Sequence, residues 1–351
     1  MRGRYFTLQA GRAAAASLVV LFHATGIIAE PKYFGVKPLA GFFGFGYAGV
    51  EFFFVLSGFI IVAAHWQDMG RPQALGRYLA RRAIRIFPAY WIVFLALGAA
   101  MLFMGTQQRY DTPTLVAALL LLPLDKVAVG GTGSPVVAVA WSLQYELVFY
   151  ALFALLIINR KIGAAIAAIF LIVAAACWNA GTYPASFVGK SYVFLFALGS
   201  AVAALREWGA ASRIRRFPRC LAAAGLVLFC CTAAFDVMQW IDAPLQLASL
   251  SYGLASALMI FGMVNAEDNG KLRWMKWPPL QLLGDASYAI YLTHFPVLSV
   301  VCKLLNHVPA IGSNWAFALA VGACLVVGVV FHRWVEKPVV DRLAARGAWQ
   351  R

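Results

Sequence analysis

The chain has 351 residues, 62% of them hydrophobic and only 12% charged, with a mean hydropathy of +0.77 and a formal net charge of +15. An ordinary soluble globule is excluded, because its apolar share is lower and its charged share about twice as high. Nucleic acid is excluded as a partner, since the basic residues are spread over separate segments with no nucleic-acid motif beside them.

Apolar runs of about 20 residues predict ten membrane helices, near 8–28, 45–65, 88–105, 140–158, 162–178, 191–205, 220–235, 246–265, 280–302 and 314–332. The run 112–123 is shorter and is expected to be re-entrant or interfacial. With ten spans most of the 29 Lys and Arg fall on one side, which puts both termini in the cytoplasm. The expected fold is therefore all-α and polytopic, a single membrane domain over 1–351. The first helix keeps an Arg and has no convincing small-residue cleavage site, so it is expected to be retained.

In that first helix, LQAGRAAAASLVVLFHATGII, the strongly polar residues are Gln9, Arg12 and His23. Arg12 and His23 are eleven residues apart, so they differ by only ~20° around a helix and lie ~16 Å apart along it. One end of the helix thus carries a cation and its middle a proton-transfer group. Ionisable groups inside a membrane are costly and need a partner or a task. Of 14 acidic residues, Glu51, Glu146 and Asp285 fall within or at the edge of the spans.

Glu51, in GYAGVEFFFVLSGFII, is expected near the outer end of the second helix, where it could meet His23. Before the third helix, RYLARRAIRIFPAYW sets Arg77, Arg81, Arg82 and Arg85 in a basic loop that ends at Pro88. These serve as positive-inside residues or as planar donors for a polyphosphate. Glu146 lies in WSLQYELVFY, after Trp141 and Ser142. In LLGDASYAIYLTHFPVL, Tyr288, Tyr291 and His294 make a polar stripe on one face, and Asp285 is expected to hydrogen-bond another helix. The six cysteines show no metal-ligand spacing and are expected to be small buried hydrophobes. His65, His307 and His332 sit at helix ends or in loops.

Taken together, these segments resemble the acyltransferase-3 family of integral membrane acyltransferases over nearly the whole chain. Arg12 and His23 match its arginine-ten-residues-histidine motif, and GVEFFFVLSGFII matches its second-helix motif, often written with Asp in place of Glu51. RRAIRIFPAYW, WSLQYELVFY, LGDASYAIYLTH and EKPV, 336–339, match the later motifs in order. Gln9, Ala10 and Gly11 replace a frequent Asp-Gly-Leu-like triplet. The branch most similar acetylates bacterial exopolysaccharides.

The resemblance implies an O-acyltransferase of the bacterial cytoplasmic (inner) membrane, moving an acetyl group from cytoplasmic acetyl-CoA to a hydroxyl of a surface glycan, lipid-linked or free. Membrane lipid and polysaccharide-export machinery are candidate partners, and no metal is implied. His23 and Glu146 are the expected catalytic pair, and Arg12, Arg82 and Arg85 are expected to hold CoA phosphates. Glu51, Trp141, Ser142, Tyr288 and His294 are expected at the acceptor site. The competing reading is a transporter or flippase with an intramembrane His/Glu proton relay.

Overall fold

The computed structural model describes residues 5–104, 110–208, 217–238, 245–308 and 310–346. In chain order its α-helices are α1 (Phe6–Ile28), α2 (Ala48–His65), α3 (Leu75–Phe103), α4 (Thr112–Leu119), α5 (Lys126–Val129), α6 (Trp141–Ile158), α7 (Arg160–Ala176) and α8 (Ala185–Val188). They continue as α9 (Tyr192–Glu207), α10 (Pro218–Met238), α11 (Leu245–Asp268), α12 (Pro278–Asp285), α13 (Ser287–Leu305), α14 (Ser313–Phe331) and α15 (Lys337–Arg346). Among the described residues there is no strand, and nine helices are long and apolar enough to cross a membrane. The chain is a multi-pass membrane protein.

All ten predicted spans have a helical counterpart, but α7, at 17 residues, is not one of the nine, whereas the 16-residue α9 reaches membrane length as part of the continuous segment Ala185–Glu207 that begins with α8. At about 1.5 Å per residue α7 reaches ~26 Å, the lower limit for a ~30 Å hydrocarbon core. Two boundaries differ from expectation. The basic segment before Pro88 is part of α3, and Pro88 lies inside that helix. Proline removes one backbone donor, but the flanking helix tolerates the loss, so Pro88 does not mark its start. The span expected at 280–302 is two helices, α12 and α13, joined at Ala286 between Asp285 and Ser287.

The chain divides into two compact units, one of 1–64 with 194–332 and one of 65–193 with 333–351. In the first unit α1 packs against α11, α12, α13 and α14, and α10 pairs with α11. Its core joins Ala16, Val20, Ala24 and Ile28 of α1 to Ile290 and Leu298 of α13 and Phe317 and Ala320 of α14. A second cluster sets Ala48 against Phe229, Tyr252 and Ala255. The start of α2 lies close to α1: a Cβ on Gly49 would press into the carbonyl oxygen of Ala15 and come within 3.0 Å of Val19 Cγ2. Only glycine lets the two backbones approach so closely.

The N-terminus of α1 is tied down by a carboxylate from the end of α11. Glu267 accepts from the backbone N–H groups of Phe6 (3.1 Å) and Thr7 (2.9 Å) and from the Thr7 hydroxyl (2.6 Å). An anion at this end meets orphan amide donors and the positive end of the helix dipole.

In the second unit α6 packs against α3 and α7, and α15 returns to α3. The Tyr78 hydroxyl on α3 donates to the Tyr150 carbonyl on α6 (3.1 Å). Arg85 Nη1 lies 2.9 Å from Glu336 Oε1, whose side chain is 1% exposed. Thus the basic motif of α3 and the EKPV segment hold each other.

Cysteine placement is split. Cys302 and Cys324 are buried as expected, whereas Cys220, Cys230 and Cys231 are exposed on α10 and correct that expectation. An apolar, membrane-length helix presents such thiols outward as small apolar groups, so hydrophobicity alone did not report burial against protein.

Candidate functional site

Arg12 and His23 both lie on α1, which is continuous between them. Arg12 Nε donates to the Ser287 hydroxyl (3.1 Å), and its Nη1 donates to Gln9 Oε1 (3.3 Å). Gln9 Nε2 in turn donates to Asp285 Oδ1 (2.9 Å). Asp285 therefore joins helices, as expected, and the break at Ala286 presents both Asp285 and Ser287 to α1.

Three turns further along, His23 Nδ1 lies 3.0 Å from the Val19 carbonyl oxygen and 3.1 Å from His294 Nε2. His294, fully buried on α13, has its Nδ1 2.7 Å from the Tyr291 carbonyl and 3.2 Å from that of Ile290. The two imidazole centroids are 4.9 Å apart, and the rings of Phe22 (5.1 Å) and Phe295 (5.6 Å) pack edge-on against His23. The structure thus brings His294, expected to bind acceptor, onto His23 itself. Tyr291 lies one turn away with its ring 5.8 Å from His294, and Tyr288 is half-buried one turn before it.

Glu51 is not the carboxylate at His23 Nδ1. It is 3% exposed, and its Oε1 accepts from the Ser249 hydroxyl of α11 at 3.0 Å. Close by in the same unit, the Tyr252 hydroxyl donates to Asp236 Oδ2 (3.2 Å), and the Tyr47 and Tyr252 rings meet edge to face. Sequence reasoning missed Ser249, Asp236 and Tyr252. Asp236 near the end of the apolar α10 was the available signal.

The second unit holds the remaining predicted residues. The Tyr150 hydroxyl donates to Glu146 one turn before it on α6, and the Arg82 guanidinium lies over the Tyr150 ring, 5.8 Å from its centroid. Arg82 Nε is buried with no hydrogen-bond partner among the described residues. Arg85, expected beside Arg82 as a phosphate ligand, has Glu336 as partner. Trp141 packs on Tyr145 and Tyr192, with centroids 6.2 and 5.0 Å away, and the Ser142 hydroxyl donates to the Val139 carbonyl (3.3 Å). Both therefore hold the start of α6.

Chemically, the first unit offers a paired imidazole in apolar surroundings, reached along a helix face that also bears a guanidinium. The acyltransferase-domain pattern matches residues 6–333. The chain belongs to the acyltransferase-3 family. Among curated relatives in that family, the exopolysaccharide production protein ExoZ of Rhizobium meliloti (strain 1021) is 29% identical over 313 residues, covering 87% of this chain and 92% of that protein. The putative membrane-bound transacylase BcsY of Komagataeibacter xylinus is 28% identical over 351 residues, covering 94% and 81%. The acyltransferase MdmB of Streptomyces mycarofaciens is 26% identical over 337 residues, covering 86% and 82%. No solved structure matches the chain. The acyltransferase-3 match takes in α1 through α14 and so includes Arg12, His23, Glu146 and His294.

Proposed function

We propose that this acyltransferase is an O-acetyltransferase, taking an acetyl group from acetyl-CoA and placing it on a hydroxyl of a bacterial exopolysaccharide or other cell-surface glycan. The observation that carries the reading is His23, a proton-transfer group set in the middle of an apolar helix and held by a second imidazole. The exopolysaccharide relative supports the acceptor class. With both termini in the cytoplasm, as the basic residues suggest, His23 lies in the outer half of the inner membrane, where a cytoplasmic thioester meets an outer hydroxyl.

A neutral imidazole takes the hydroxyl proton as the oxygen attacks the thioester carbonyl, and returns it to the leaving thiolate. An acyl-histidine route uses the same nitrogen as nucleophile. Arg12 is the candidate phosphate ligand of the first unit and Arg82 that of the second, each because a guanidinium matches phosphate oxygens through paired donors. Arg85 is assigned to Glu336 instead.

Membranes containing the protein, incubated with labelled acetyl-CoA and envelope glycan from a deletion strain, should yield labelled glycan, and His23→Ala should abolish the label. Label accumulating inside vesicles without covalent transfer would replace this reading with the transporter.

A further inference from the structure

We infer that His294 is the positioning residue that fixes His23 as its Nδ1–H tautomer and shares the charge His23 acquires, an inference that rests on acyl transfer at His23. The assignment follows from which atoms can only accept. Carbonyl oxygens of Tyr291 and Ile290 lie 2.7 and 3.2 Å from His294 Nδ1, so that nitrogen carries a proton. His294 is fully buried, and among the described residues no carboxylate is bonded to either ring, so a resting cation there would be heavily penalised. Its ring is therefore neutral, and Nε2 presents a lone pair.

The same logic applies to His23. Its Nδ1 lies 3.0 Å from the Val19 carbonyl, so it too carries the proton, and that one N–H is shared between Val19 O and His294 Nε2 at 3.1 Å. The opposite tautomer, with His294 Nε2–H donating, would turn both Nδ1 lone pairs toward three carbonyl oxygens. Each of these contacts is satisfied by two neutral Nδ1–H rings. His23 Nε2, which makes no hydrogen bond among the described residues, is left with the lone pair.

That lone pair removes the proton from the acceptor hydroxyl while its oxygen bonds to the thioester carbon. The carbon–sulfur bond then breaks, and Nε2–H returns the proton to the departing thiolate. While His23 is an imidazolium, its Nδ1–H shifts toward His294 Nε2 and the charge spreads over two rings. A chain of imidazole, imidazole and backbone carbonyl thus stands where a hydrolytic triad uses a carboxylate. The edge-on rings of Phe22 and Phe295 keep His23 in register.

The test uses the full-length protein in lipid nanodiscs, with labelled acetyl-CoA and the deletion-strain glycan. His294→Leu should lower kcat by about 10²- to 10⁴-fold, the contribution of a correctly positioned general base, with both KM values within twofold. His294→Gln, whose side-chain carbonyl still accepts from His23 Nδ1–H, should recover at least tenfold of that loss. Nitrogen-15 spectra of histidine-labelled wild type, with His23 assigned by difference against His23→Asn, should show a protonated Nδ1 and bare Nε2. A raised KM with unchanged kcat, or a glutamine variant no better than leucine in protein that melts like wild type, overturns the inference, as does the opposite tautomer. Transfer surviving in His23→Ala overturns the placing of acyl transfer at His23 instead, and the spectra still decide the tautomer. If the leucine variant does not fold, the glutamine variant and those spectra decide the question.

Discussion

Gly49→Ala tests whether the close approach of α2 to α1 positions His23. The added methyl would press into the Ala15 carbonyl oxygen and within 3.0 Å of Val19 Cγ2, and Val19 is the residue whose carbonyl accepts from His23. Backbone atoms have no rotamer through which to yield, so the helices must part by roughly an ångström. Overpacking of this kind costs about 1–3 kcal/mol, of which alanine's better helix propensity returns about 1 kcal/mol. Net stability should therefore fall by about 2 kcal/mol or less, while a 1 Å displacement of a catalytic group lowers turnover by up to ~10²-fold. Gly26→Ala is the control: it lies on the same α1, and a Cβ there meets nothing within 4 Å. That change should raise stability by roughly 0.5–1 kcal/mol and leave turnover intact. Acetyl transfer and melting temperature, measured on both proteins in one detergent, separate the effects. Wild-type turnover in Gly49→Ala would refute the idea that this contact sets the imidazole.

Arg82→Ala should raise the KM for acetyl-CoA about tenfold, the order expected for one charge-assisted hydrogen bond, with little change in the acceptor KM; unchanged constants would leave Arg82 as a topology marker. Arg85→Ala should instead destabilise the protein by about 1–3 kcal/mol, below the value for a wholly buried pair because Arg85 is partly exposed. Thermal unfolding checks this, and an unchanged melting temperature would show that Glu336 is held by other contacts. Glu267→Ala removes the acceptor for two backbone N–H groups and a hydroxyl at the start of α1, for an expected loss of about 1–2 kcal/mol. Identical melting curves for that variant and wild type would rule out the cap as a support for α1.

Much of this fold was legible because hydrocarbon imposes length and apolarity on every span, and those leave a plain trace in composition. His23 and Arg12 were legible for a related reason, since a costly residue in an apolar run announces itself. Their partners were not. Helical period reports which face a residue occupies but not what that face meets, and His294 is 271 residues from His23. Glu51 illustrates the same gap: its depth suggested His23, yet Ser249, on a helix with no obvious signal, holds it. Pro88 misled in another way, because local backbone chemistry marks a preferred helix start while packing along α3 overrides it.

The pairings of α1 also set an order of events at synthesis. Gln9 and Arg12 find Asp285 and Ser287 only after about 275 further residues have been made, which at about 5–20 residues per second takes roughly 14–55 s. For that interval the first helix holds its amide and guanidinium in the insertion machinery or near the lipid headgroups, without the groups that later satisfy them. A ribosome that stops before α12 therefore releases a chain whose Gln9 and Arg12 lack Asp285 and Ser287, a feature that membrane quality control can read.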